Sequence, residues 1–348
     1  MDTNKKYMAR ALELARLGAG EVSPNPMVGC VIVHQEKIIG EGFHQKYGQP
    51  HAEVNAINSV KNQELLKQST LYVTLEPCAH HGLTPPCSDL IVEKQIPRVV
   101  IGTVDPFASV AGKGIEKLKN GGVEVELGMM QSECREINKR FFTFHEKKRP
   151  FVILKWAQTQ DGFIDVERSP LDFGEPTWIT GSLALRLVHK IRSEEDAILV
   201  GRKTAGNDNP SLTVRNWHGR NPLRAVIDNR LQLPETLHLF NREVKTLVFN
   251  TRKNATEKNL VYIKLREVEN VPEQILDYFY SLNILSVIVE GGSQLLESFL
   301  ATRLWDEAHV FVGGKFFFGG VKAPQIKGEV IAAERLDNDR LVVFRNRD

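Results

Sequence analysis

The chain has 348 residues, 42% hydrophobic and 25% charged, with 45 lysines and arginines against 43 acids and a formal net charge of +2. That length predicts two domains, the mixture excludes bulk disorder, and no apolar run nears the ~18 residues that would cross a bilayer. Near-zero charge argues against a strong nucleic-acid binder, and four cysteines without an export signal point to the cytoplasm, where a Cys cluster reads first as metal binding or catalysis.

Taken in chain order, residues 3–17 carry apolar positions at helical spacing and predict an amphipathic helix, not a signal peptide. Strands follow over 28–34 and 37–43, joined by a tight turn. Then come a helix over 52–59, a strand over 69–75, a helix over 87–94, a strand over 98–103, a helix over 114–120, a strand over 123–127 and one helix over 131–141. This alternation implies a three-layer α/β domain over 1–147. A basic stretch closed by Pro150 separates it from a second α/β domain over 150–348. Strands are predicted there over 151–157, 197–200, 224–227, 246–250, 262–265, 285–289, 307–312 and 341–345, and helices over 183–193, 272–282 and 294–301. The second half reads as an open sheet of nucleotide-binding type whose strand order periodicity does not fix.

The strongest chemical signal is Pro50-His51-Ala52-Glu53 followed by Glu76-Pro77-Cys78 and Pro85-Pro86-Cys87. One imidazole and two thiolates make a three-ligand zinc site with a fourth position for water, the arrangement of a catalytic zinc, one per chain. Glu53 then lies beside the metal and moves protons between water and a leaving amine. His51 and Glu53 converge only if a helix starts between them, and Pro86 likewise puts Cys87 at a helix start. H-x-E…P-C-x-x-C marks zinc nucleobase deaminases. Here nine positions separate the cysteines, so residues 79–86 form a loop over the metal, with His80 and His81 lining a substrate pocket. Cys30 and Cys134 read as core.

Ser23-Pro24-Asn25-Pro26, Val28-Gly29, His51-Ala52-Glu53 and the extended segment from Glu76 to Cys87 together resemble the bifunctional deaminase/reductase family of riboflavin biosynthesis. The resemblance implies a cytidine-deaminase-like domain followed by a dihydrofolate-reductase-like α/β domain. Its deaminase acts on a pyrimidine ribonucleotide, 2,5-diamino-6-ribosylamino-4(3H)-pyrimidinone 5′-phosphate, replacing the 2-amino group with a carbonyl. Asn25 and Asp105 would face that substrate. Leu83 stands where the family often has a basic residue, and Phe107 where it often has an asparagine.

The second half lacks a G-x-G-x-x-G fingerprint. It has Val287-Ile288-Val289-Glu290-Gly291-Gly292, a strand passing through glycines into a helix, which suits a phosphate, and a strand ending at Gly201 that runs into a polar loop. The resemblance implies NADPH-dependent reduction of the ribosyl group to ribityl. It sets Ala157, Trp178, Thr204, Asn229, Gly292, Ser293, Gln294, Leu295, Leu296, Glu297 and Ser298 against the cofactor. Arg192, Asp208, Leu212, Arg215 and Glu290 would face the substrate, with Arg192 and Arg215 suited to its phosphate. The segment Gly313 to Gly320 reads as a glycine-bounded strand with apolar packing, the alternative being a loop that closes on cofactor. The expected partner is this small molecule, with no nucleic acid and no membrane; homo-oligomerisation is open. The alternatives are a nucleobase or tRNA-adenosine deaminase with an appended non-catalytic domain, and a zinc-stabilised binding module without activity.

Overall fold

Alternating side chains along the first buried strand point to two different helix layers, and this sets the architecture of the N-terminal unit. The computed structural model describes residues 3–80, 85–107, 111–168, 174–266 and 270–347, and the chain divides into two compact units between Lys148 and Arg149. In the first unit, α1 (Thr3–Arg16) precedes the hairpin β1 (Gly29–His34) and β2 (Lys37–Phe43), and α2 (Ala52–Ser59) follows. After a 3-10 turn come β3 (Thr70–Leu75), α3 (Cys87–Glu93), β4 (Arg98–Thr103), α4 (Lys113–Asn120), β5 (Glu124–Leu127), α5 (Gln131–Ile137) and α6 (Lys139–Lys147).

The sheet order is β2-β1-β3-β4-β5. Strands β3, β4 and β5 run parallel, and β1 is antiparallel to both neighbours. Cys30 and Ile32 of β1 join the core under α2, α3 and α4, whereas Val31 and Val33 join the core under α1 and α5. Period-two alternation therefore builds the expected three layers. The single helix expected over 131–141 is instead two, broken at Asn138. Its buried side chain accepts from Met27 N–H at 2.8 Å and donates to the Met27 carbonyl at 2.8 Å, holding the residue out of helical geometry.

The second unit contains β6 (Phe151–Gln158), β7 (Phe163–Asp165), α7 (Ser182–Glu194), β8 (Ala197–Gly201), α8 (Arg202–Asp208), β9 (Leu223–Ile227), β10 (Thr246–Asn250), β11 (Ala255–Glu257) and β12 (Leu260–Lys264). Then follow α9 (Val271–Ser281), β13 (Ser286–Glu290), α10 (Ser293–Ala301), β14 (Glu307–Val312), β15 (Val321–Lys322), β16 (Glu329–Leu336) and β17 (Asp339–Arg345). Ten strands form one sheet in the order β11-β12-β10-β9-β8-β13-β6-β14-β17-β16. The seven from β12 to β14 are mutually parallel. Their carboxyl ends therefore lie along one edge, where ligands bind in open α/β sheets. One face packs on α9 and α10 through Leu276, Phe279, Leu296 and Phe299, and the other packs on α7 through Ala184, Val188 and Ile191.

Three departures from the sequence reading stand out in this unit. The polar segment after Gly201 is the helix α8, not a loop. Strand β16 was not expected, because its residues are exposed on both faces except near its end. Residues Gly313 to Gly320 form an irregular loop, with Phe316 and Phe318 exposed and stacked at 5.8 Å, not a packed strand. No helix among the described residues is long and apolar enough to cross a membrane.

Candidate active sites

The first site is built at two helix starts. His51 is the N-cap residue of α2 and Glu53 lies in its first turn. Pro86 caps α3, so Cys87 is that helix's first residue. Cys78 follows the end of β3 by three positions. These elements bring the His51 Nδ1 to 3.6 Å from Cys78 Sγ and 3.4 Å from Cys87 Sγ. All three donor atoms lie within 4.8 Å of one another. A tetrahedral zinc with ordinary Zn–S and Zn–N bonds has an S–N edge of about 3.6 Å, so the donor set fits zinc in both chemistry and spacing.

The surroundings favour the thiolate at one of the two cysteines. The Cys87 N–H donates to Cys78 Sγ at 3.3 Å. Hydrogen bonding from Cys87, with His51 beside it, pushes the Cys78 thiol down to about 4, while that neighbour and burial hold Cys87 up. Glu53 is 3% exposed. Burial, reinforced by Cys78, pushes its carboxyl up to about 7.

Glu76 ties the chain before Cys78 to the start of α4. Its buried carboxylate accepts from the N–H groups of Asp105, Gly112, Gly114 and Ile115 at 2.9–3.3 Å. Gly114 is required there, since a side chain would collide with the Pro77 carbonyl. Asp105 is buried close by. Burial raises it to about 6, against the Phe107 N–H it accepts and helped by Glu76 and Cys78. Asn25 meets a histidine that sequence reasoning missed: its amide lies 3.1 Å from His44 Nε2, and the buried His44 ring packs edge-on to His51 at 5.3 Å. Only an isolated histidine just after β2 marked it. His80 is exposed, while His81 and Leu83 lie outside the described residues. Cys30 and Cys134 are fully buried in the core.

The second site is a cavity of about 1050 Å³ at the carboxyl ends of β6, β8, β9 and β13. Of the residues set against the cofactor, Ala157, Trp178, Thr204, Asn229, Gly292, Ser293, Gln294, Leu295 and Ser298 line it. Leu296 and Glu297 do not. Leu296 faces the core on the opposite side of α10, and Glu297 accepts from the Ser293 hydroxyl at 2.5 Å. A helix turns each residue by about 100°, so seven consecutive positions cannot share one face. The Thr204 hydroxyl accepts the Gly292 N–H at 2.8 Å, tying α8 to the turn before α10. Gly291 has φ of 117°, and a side chain there would collide with Thr204.

The residues set against the substrate, Arg192, Asp208, Leu212, Arg215 and Glu290, all line the same cavity. Arg192 is not a free phosphate fork. Its Nε and Nη2 bind Glu290 at 2.9 and 2.7 Å, and Lys155 Nζ lies 3.7 Å from the same carboxylate. Burial alone would raise Glu290, but Arg192 and Lys155 hold it at about 2. Arg215 donates no side-chain hydrogen bond among the described residues, and its N–H binds His189 Nδ1 at 3.1 Å. Burial, with Arg192 and Arg215 nearby, pushes His189 down to about 4. Asp208 pairs with Arg168 at 3.1 Å, yet burial raises it to about 6. Lys155, Arg168 and His189 were not anticipated. Lys155, a charge inside an apolar strand, was the one legible signal.

Known proteins carry the same two-part layout. Residues 1–103 match the cytidine and deoxycytidylate deaminase zinc-binding region, and residues 150–344 match the RibD C-terminal domain. The riboflavin biosynthesis protein RibD of Aquifex aeolicus is 40% identical over 334 residues, covering 94% of this chain and 89% of that one. RibD of Escherichia coli is 35% identical over 331 residues, covering 89% and 87%. A diaminohydroxyphosphoribosylaminopyrimidine deaminase/5-amino-6-(5-phosphoribosylamino)uracil reductase from Thermotoga maritima has a crystal structure that superposes with a TM-score of 0.88 at 39% identity, covering 99% of both chains. With this level of identity sustained across both halves, the chain belongs to the RibD family, the bifunctional deaminase and reductase enzymes of riboflavin biosynthesis.

Proposed function

We propose that residues 1–147 deaminate 2,5-diamino-6-ribosylamino-4(3H)-pyrimidinone 5′-phosphate, and that residues 150–348 reduce the product, 5-amino-6-(5-phosphoribosylamino)uracil, with NADPH. His51, Cys78 and Cys87 would hold one zinc per chain. When bound, zinc supplies water acidified towards neutral pH, and NADPH supplies a hydride. Glu53, two residues after His51 and shielded from solvent, takes a proton from the attacking water and gives it to the departing 2-amino group. Asn25 and Asp105 orient the ring. In the second site Ala157, Trp178, Thr204, Asn229, Gly292, Ser293, Gln294, Leu295 and Ser298 bind the cofactor. Arg192, Asp208, Leu212, Arg215 and Glu290 bind the substrate, and Arg215 takes the phosphate because its guanidinium has no hydrogen-bond partner among the described residues.

The observation that carries the reading is the spacing of one imidazole and two thiols at 3.4–3.6 Å with a buried carboxylate on the adjoining helical turn. The test is Glu53→Gln in the zinc-loaded chain. Deamination is expected to fall by at least ~10²-fold, the scale of a lost proton-transferring group. Zinc content, and reduction of separately supplied deaminated substrate, should stay at wild-type levels. Normal deamination by this variant would remove Glu53 from the chemistry.

A further inference from the structure

Arg224 is the largest fully buried side chain among the described residues, 1% exposed on the second position of β9. A buried guanidinium ordinarily pairs with a carboxylate. Here, among the described residues, every acceptor is neutral. Nε donates to the Thr246 hydroxyl at 2.9 Å, and Nη1 donates to the carbonyls of Ser211 and His238 at 3.3 and 3.2 Å. Nη2 reaches the Leu239 and Val244 carbonyls and the Asn241 side-chain oxygen at 2.8–3.3 Å. Six acceptors from two loops and a strand thus converge on one planar fork, a pattern that lysine's three donors cannot match.

One of those loops forms a wall of the cavity. Asp208, Asn209, Pro210, Ser211 and Leu212 all line it. Asn209 and Leu212 have φ of 39° and 53°, a region costly to residues with side chains and held only when the surroundings impose it. Two sets of contacts impose it. Asn209 Oδ1 accepts the His238 N–H at 2.8 Å, and Arg224 draws in the Ser211 carbonyl from below. In a planar trans peptide the C=O and N–H point to opposite sides. With the Ser211 carbonyl turned to Arg224, the Leu212 N–H is turned away from it. That N–H donates to no acceptor among the described residues.

We propose that Arg224 is a positioning residue of the reductase site: it sets the Ser211–Leu212 peptide so that the Leu212 N–H is offered to the bound pyrimidine ribonucleotide. This rests on the reading that the Asp208–Arg215 side of the cavity takes the substrate. The test uses full-length, zinc-loaded Arg224→Met and Arg224→Lys. The readouts are steady-state reduction of 5-amino-6-(5-phosphoribosylamino)uracil, NADPH affinity by fluorescence titration, thermal midpoint and deamination rate. KM for the uracil substrate should rise on the order of tenfold in Arg224→Met, the scale of one lost hydrogen bond, with a smaller rise in Arg224→Lys. NADPH affinity and deamination should stay within about twofold, the range left by loss of a contact to one ligand alone.

A lowered thermal midpoint with unchanged KM would reduce Arg224 to a structural role and overturn the proposal, as would an equal loss of NADPH and substrate affinity. If Arg224→Met does not fold, Arg224→Lys decides alone, and a wild-type KM in it overturns the proposal. Failure of the wild-type chain to oxidise NADPH with this substrate would instead remove the underlying site reading, and the role of Arg224 with it.

Discussion

The two sites solve the same problem, holding a small polar molecule against a reactive group, with opposite distributions of residues. In the first, the three proposed zinc ligands and the proposed acid–base group come from two helix starts and one strand end, and the donor atoms fall within 4.8 Å. In the second, no single motif suffices. Four strand ends and the turns before α8 and α10 each give a few residues to a cavity of about 1050 Å³. The charge logic differs too. The first site gathers acids and thiols whose ordinary ionisation is disturbed by burial and by one another, so its electrostatics await a cation. The second already holds three of its cations against its own carboxylates, Arg192 and Lys155 on Glu290 and Arg168 on Asp208. A metal centre concentrates its information, whereas a cavity for two organic molecules spreads it along a sheet edge.

The sharpest way to break this contrast is to remove a thiol. Cys78→Ser or Cys87→Ser should lose zinc, seen by metal analysis of the purified chain. Deamination should fall by roughly 10³-fold or more, because both the Lewis acid and the organisation of the water go together. Reduction of deaminated substrate should persist. Full zinc retention in both variants would show that the donor set is wrong and that concentration of residues had been mistaken for function.

How much was legible follows from the same contrast. That His51, Cys78 and Cys87 come together could be read because metal chemistry dictates both residue type and spacing. The three-layer first unit was readable because β1 alternates faithfully between two cores. The rest depended on contacts made far away in sequence. Asn138 breaks a helical pattern because its side chain is claimed by the Met27 backbone, 111 positions earlier. The stretch from Arg202 to Asp208 has weak helix formers, yet it coils where Thr204 receives the Gly292 N–H. Leu296 and Glu297 were set beside the cofactor by a continuous stretch of resemblance, and helical rotation turned them away. His44 and Arg224 carry only faint local signatures, an isolated histidine and a charge within an apolar strand, and only the fold reveals what surrounds them.

A second test probes the paired cluster of Glu290 with Arg192 and Lys155 in the cavity. Glu290→Gln leaves Arg192 and Lys155 without their shared counter-charge in a nearly buried setting. Loss of one partner from such a group typically costs about 3–5 kcal/mol, so the denaturation midpoint of the second unit should fall clearly and reduction should fail with it. The pH dependence has a defined sign. Glu290 is held at about 2, below its ordinary 4.5. Its contribution is therefore fully present above about pH 4.5 and is lost as pH falls towards 2. Acid unfolding of the wild type should be steep in that window, and the variant should lack that component. Unchanged stability at pH 7 would mean the cations find water or other partners, and that this site is no more self-contained than the first.

The smallest effect concerns Asp208, where the two strategies meet: a carboxylate with a cation partner that burial still keeps partly neutral. Its value is raised from 3.8 to about 6 despite Arg168 at 3.1 Å. For an acid, a raised folded value means that ionisation costs stability. The favourable balance is present below about pH 4 and lost as pH rises through 6. Asp208→Asn should accordingly raise the thermal midpoint slightly at pH 8 and not at pH 4. Binding has the reverse preference if substrate hydroxyls or ring N–H groups donate to this oxygen, because the carboxylate is the better acceptor. Wild-type KM for 5-amino-6-(5-phosphoribosylamino)uracil should then fall about tenfold between pH 5 and pH 7, the most that one ionisation near 6 allows over that range. The substrate phosphate also titrates near 6, so the variant supplies the control. Whatever slope survives in Asp208→Asn belongs to the phosphate and its Arg215 partner, and the difference between the two profiles belongs to Asp208. Parallel profiles would remove Asp208 from substrate binding and leave it as a brace for Arg168.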